Sequence, residues 1–114
     1  MDALTEKITK YQNILLQYLN QLAEERNNAS AQHLEYQVIG DTVRNHFQLV
    51  RLGWIKYKFV HLVLLHFDVH PNGEIWLQLN NTEVLVDREL VAMGVDPVDI
   101  VLGFQPEYVR KAAM

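Results

Sequence analysis

Residues 57–80, YKFVHLVLLHFDVHPNGEIWLQLN, decide the fold. Val, Phe, Leu and Ile at alternate positions suit a pleated, half-buried surface. Pro71, Asn72 and Gly73 interrupt them with the residues a tight turn uses. The stretch therefore predicts a long strand, a turn and a second strand. With the turn at Pro71–Gly73, His70 faces Glu74, Asp68 faces Trp76 and His66 faces Gln78, while Val69/Ile75, Phe67/Leu77 and Leu65/Leu79 share the opposite side. That register gives one apolar and one mainly polar face, as a hairpin on a core requires. It assigns Tyr57, Phe59, Val63, Leu65, Phe67 and Val69 to the core, and leaves Val60, Leu62 and Leu64 as a second apolar set that something must cover.

Upstream, Leu4, Ile8, Tyr11, Ile14, Leu15, Tyr18, Leu19 and Leu22 recur at spacings of three and four, predicting an amphipathic helix from Asp2 to about Glu25. Asp2 is placed to cap it. Arg26 to Gln32 reads as a polar connection. Leu34, Tyr36 and Val38 alternate with polar residues before Gly40 and Asp41, which predicts a strand. Another follows from His46 to Trp54. A two-residue turn at Ile55-Lys56 would set Trp54 against Tyr57, Leu52 against Phe59, Leu49 against Leu62 and Phe47 against Leu64. This register makes Phe47, Leu49, Val60, Leu62, Leu64 and Trp76 an apolar patch for the C-terminal segment, a partner or a second copy of the chain.

Beyond Asn80 the period becomes helical. Thr82 is read as the N-cap, Val86, Leu90 and Met93 form a stripe, and Gly94 stops the helix. Asp96-Pro97 starts a second short helix ending near Gly103, and Arg110 and Lys111 lie in the tail. The expected architecture is α+β: a long N-terminal helix packed on a four-stranded antiparallel meander, followed by two short C-terminal helices, in a single domain spanning 1–114.

The chain of 114 residues is 49% hydrophobic and carries 10 basic against 14 acidic residues, a net charge of -4. The acidic balance disfavours a stand-alone nucleic-acid binder. With no cysteine, disulfides, thiolate metal sites and thiol nucleophiles are excluded. Charges interleave the apolar residues of the N-terminus, so it is not read as a signal peptide, and the chain is expected in the cytoplasm.

Several residues invite a chemical reading. His66, Asp68 and His70 alternate along one strand face with Glu74 opposite, donor types that suit zinc or iron. A polar, solvent-facing hairpin tip is the preferred reading, so no metal or cofactor is assigned, and a metal-dependent enzyme stands as the alternative. His61 is expected to be buried and neutral. Trp54 is expected in packing, and Trp76 in packing or an interface. Arg110, Lys111 and the lysines near Lys56 would be the phosphate contacts if the chain bound DNA directly. Nothing resembles a nucleophile elbow, a P-loop or a dinucleotide fingerprint, so no catalytic residue is assigned.

Gly53-Trp54, Val60-His61, His66-Phe67-Asp68, Gly73-Glu74-Ile75-Trp76-Leu77-Gln78, Thr82-Glu83, Glu89-Leu90, Gly94-Val95 and Asp99-Ile100-Val101-Leu102-Gly103-Phe104, with Pro106 and Arg110, resemble the XisI family. These are the cyanobacterial fdxN-element excision controlling factors. The resemblance implies a small non-enzymatic accessory protein. It would act with a recombinase and an XisH-like partner in programmed DNA excision, a site-specific recombination of heterocyst differentiation. It carries over no active-site residues. Ile55 to Phe59 departs from the polar turn and paired arginines usual there, which implies an altered contact surface.

Overall fold

α1 (Ala3–Ala29) opens the computed structural model, which describes residues 2–29 and 33–112, with side chains as far as Arg110. The Asp2 carboxylate accepts the Thr5 amide at 2.7 Å, capping the helix as expected. Tyr11, Ile14, Leu15, Tyr18, Leu19 and Leu22 are buried along one stripe. The helix continues past Glu25, while residues 30–32 of the expected connection lie outside the described residues. Asn27 explains part of the extension. Its side-chain amide donates to the Tyr36 carbonyl at 3.0 Å and accepts the Tyr36 amide at 2.8 Å, occupying backbone groups that an edge strand would otherwise leave open.

The sheet runs in the order β1 (His33–Asp41), β2 (His46–Ile55), β3 (Lys58–Val69), β4 (Ile75–Asn80) and β5 (Ile100–Leu102). The first four strands are the expected antiparallel meander, and β5 adds parallel to β4, so the sheet is mixed and five-stranded. Asp96 makes this possible. Its side chain accepts the Val98 amide at 3.0 Å and starts a single 3₁₀ turn, Pro97–Asp99, which delivers Ile100 to the free edge of β4. Three residues are too few to show a period of two.

α2 (Val86–Ala92) begins later than Thr82. The Thr82 hydroxyl instead donates to Asn80 Oδ1 at 2.6 Å and accepts the Val84 amide at 3.2 Å, forming a turn ahead of the helix. Gly94 ends α2 as expected, with the Val95 amide reaching back to the Leu90 carbonyl at 3.1 Å. Arg110, expected in a tail, belongs to α3 (Glu107–Ala112) and donates to the Gln105 carbonyl at 2.9 Å.

Two register shifts decide which side chains reach the core. Val69/Ile75, Asp68/Trp76 and Phe67/Leu77 pair as expected, but Gln78 is then skipped, so His66 pairs with Leu79 and Leu65 with Asn80. The β2–β3 turn is Lys56-Tyr57, with Lys56 at φ 56°, so Trp54 pairs with Phe59 and Leu52 with His61. Further along, Leu49 pairs with Leu65 and Val50 with Val63, which leaves Leu64 unpaired. One extra residue reverses the side on which all earlier side chains of that strand emerge.

The consequence corrects the expected faces. Phe47 and Leu49 are 0% exposed and Leu64 4%, all in the core cluster with α1, and Leu62 packs against the same cluster. They are not a second surface. Tyr57 and Phe59, expected in the core, are 99% and 49% exposed, and His61 is exposed rather than buried. The chain's own N-terminal helix covers Phe47, Leu49, Leu62 and Leu64 of the set that was expected to need a partner, while Val60 and Trp76 stay half-buried outside that cluster.

Gly53 marks where β2 presses against β1. At φ 139°, a Cβ on this residue would stand 2.0 Å from the His33 carbonyl oxygen.

Candidate functional site: a His–Asp–His face beside an open sheet surface

On the sheet face opposite α1, the register sets His46 directly across from Asp68, with His66 two residues along β3. His46 Nδ1 donates to Asp68 Oδ1 at 2.7 Å and His66 Nε2 donates to the same oxygen at 2.8 Å. Gln78 donates to Asp68 Oδ2 at 3.1 Å, and Gln48 donates to His66 Nδ1 at 2.8 Å. That last bond leaves the His66 proton on Nε2, the tautomer its bond to Asp68 needs. Burial acts to raise the Asp68 carboxyl, yet the hydrogen bonds from His46, His66 and Gln78 outweigh it and hold the group below the usual carboxylate range.

The structure therefore brings together two of the residues read from the sequence, His66 and Asp68, and adds His46. His70 and Glu74 go elsewhere. The His70 ring stacks on Trp76 at 4.5 Å between centroids and 9° between planes, while Glu74 accepts from Asn72 Nδ2 at 2.9 Å and from the Trp76 indole at 3.3 Å. Arg110 lies 5.1 Å from the Trp76 ring, beside a groove of about 600 Å³ lined by Val98, Val101 and Gln105. His46 could have been found only from the β2–β3 register, which a Lys-Tyr turn does not announce.

The same sheet face is apolar towards the β2–β3 turn. Trp54, 52% exposed, meets Phe59 edge-on with centroids 5.3 Å apart. By register Leu52, Val50 and Val63 share their side, and Ile39 on β1 is 51% exposed. Val50, although 3% exposed, stands outside the α1 core cluster.

A second polar group is structural. Asp99, 7% exposed, accepts Lys7 Nζ at 2.8 Å and the Tyr11 hydroxyl, and that hydroxyl also accepts the Asp96 amide at 3.2 Å. These bonds join α1 to the turn that feeds β5.

Fold and site together define a helix-backed, mixed-sheet α+β domain with a polar strand face continuous with an open apolar surface. The family model described as XisI protein matches residues 5–114. The chain belongs to the XisI family. A XisI-like protein from Anabaena variabilis ATCC 29413 has a solved structure that is 40% identical, with a TM-score of 0.82 over 92% of this chain and 94% of that one. The fdxN element excision controlling factor XisI from the same organism is 24% identical, with a TM-score of 0.76 over 91% of this chain and 98% of that one, and shares the fold. No curated protein matches the chain. Among the described residues, no helix is long and apolar enough to cross a membrane.

Proposed function

We propose that this protein is a non-enzymatic controlling factor of programmed DNA excision in the cytoplasm of a cyanobacterium, acting by binding an XisH-like partner rather than DNA. Family membership supports the reading. The observation that carries it is the uncovered aromatic pair of Trp54 and Phe59 on a sheet face whose opposite side is already filled by α1. Aromatic anchors beside half-buried aliphatics are the composition of interface centres. Of the patch expected from the sequence, Val60 and Trp76 are half-buried, whereas Phe47, Leu49 and Leu64 are core residues. The proposed docking surface accordingly centres on Trp54, Phe59, Leu52 and Ile39.

Size-exclusion chromatography with light scattering, on the protein alone and mixed with the XisH-like protein, tests this. A stable hetero-complex is expected, with affinity weakened at least about tenfold by the double substitution Trp54→Ala and Phe59→Ala. A protein that ignores the partner, or that self-associates through the same residues to its exclusion, would refute the reading.

A further inference from the structure

We propose that His46, Asp68 and His66 form a binding site for one divalent transition ion of the zinc class. Their ligand atoms all lie within 4.8 Å of one another. A tetrahedral ion with bonds of roughly 2.0–2.1 Å holds its donors about 3.3 Å apart. Asp68 Oδ1 already stands 2.7 Å from His46 Nδ1 and 2.8 Å from His66 Nε2, so small side-chain rotations open the space for an ion between them.

The backbone beneath the three residues is fixed by strand pairing. His46 and Asp68 are direct register partners on β2 and β3. Two amides complete the arrangement. Gln78 holds the outer oxygen of Asp68, and Gln48 touches the far nitrogen of His66. When an ion takes Nε2, the His66 proton moves to Nδ1, and Gln48 turns its amide to present oxygen instead of nitrogen. Glutamine can do this because it carries donor and acceptor at one end. Such outer partners set ring orientation and ligand basicity at metal sites.

The donor set selects the ion. Two imidazoles with one carboxylate favour zinc, cobalt, nickel or ferrous iron over magnesium and calcium, which require mostly oxygen. The His46 side chain is 55% exposed, which gives an entry route and leaves the remaining coordination position to water. His70 is occupied by Trp76 and takes no part. This site does not rest on the partner reading above.

Titration of the tag-free, chelator-stripped protein with Co²⁺, followed by its visible absorption, and then with Zn²⁺ by calorimetry, tests the proposal. One equivalent per chain is expected. His46→Ala, at the exposed position, should weaken binding at least about tenfold, and Gln48→Leu about tenfold, as outer partners do. His70→Ala and His61→Ala should leave it within about twofold, all four variants being checked for native circular dichroism. Far less than one equivalent overturns the site. So does equal weakening by His46→Ala and His70→Ala, the signature of ions scattered over surface histidines.

Discussion

Asp99 is a carboxylate withdrawn from water whose two oxygens take the Lys7 ammonium and the Tyr11 hydroxyl. Burial acts to raise its pKa, but the bonds from Lys7 and Tyr11 outweigh burial and hold it below the usual value of about 3.8. On acidification the unfolded chain therefore takes up this proton first. The stabilisation is complete above the unfolded value and disappears as pH falls through the lower, folded one. Asp99→Asn should cost about 1–3 kcal/mol at pH 7 in urea denaturation, and the gap to wild type should shrink below about pH 4. Asp68 has the same sign, its pKa lowered by His46, His66 and Gln78 against the effect of burial. Tyr18 offers a second test. Burial first, then its bond to Glu89, raise its hydroxyl pKa far above the ordinary range, so it stays protonated and donates at 2.5 Å. Tyr18→Phe should cost about 0.5–1.5 kcal/mol, measured as a shift of the urea midpoint at unchanged slope.

At the scale of elements, α1 was legible because burial on a helix repeats every three to four residues, and Tyr11, Ile14, Leu15, Tyr18, Leu19 and Leu22 obey that rule without interruption. The tip of the β3–β4 hairpin was legible as well. Its turn has its own chemistry, and the pairs Val69/Ile75 to Phe67/Leu77 follow from it. The unpaired Gln78 breaks the count on this hairpin, and Leu64 breaks it against β2. Deleting Leu64 tests that account: it should turn Phe59 and Val63 towards α1 and cost more than Leu64→Ala, itself about 2–5 kcal/mol. A deletion no worse than the truncation would show that parity along β3 is set by something else. Gly53 is the other decisive position. A methyl group there would collide with the β1 backbone at a positive φ, so Gly53→Ala should cost upwards of about 2 kcal/mol. Faster amide exchange in β1, with α2 unaffected, is the accompanying signature.

For the molecule as a whole, one sheet face is sealed by α1 and the other is left open, polar at His46, His66 and Asp68 and apolar at Trp54 and Phe59. A net charge of -4 surrounds it. Phosphate contacts gain affinity by releasing counterions, which needs clustered cations. Fluorescence anisotropy with a duplex at about 0.15 M salt should therefore show no saturable binding by the chain alone. Saturable, steeply salt-dependent binding would instead make the protein a DNA reader in its own right.

The sequence alone determined what depends on near neighbours: the capped α1, the Pro71–Gly73 turn, the stop at Gly94, the Asp96-Pro97 restart and the residues that carry the family resemblance. Tertiary structure alone decided which face of β2 and β3 meets α1, where β5 joins, and that His46 stands beside Asp68 and His66. Each of these is set by pairing between distant residues. A single unpaired leucine, which carries no local signature, is enough to exchange the inside of a strand for its outside.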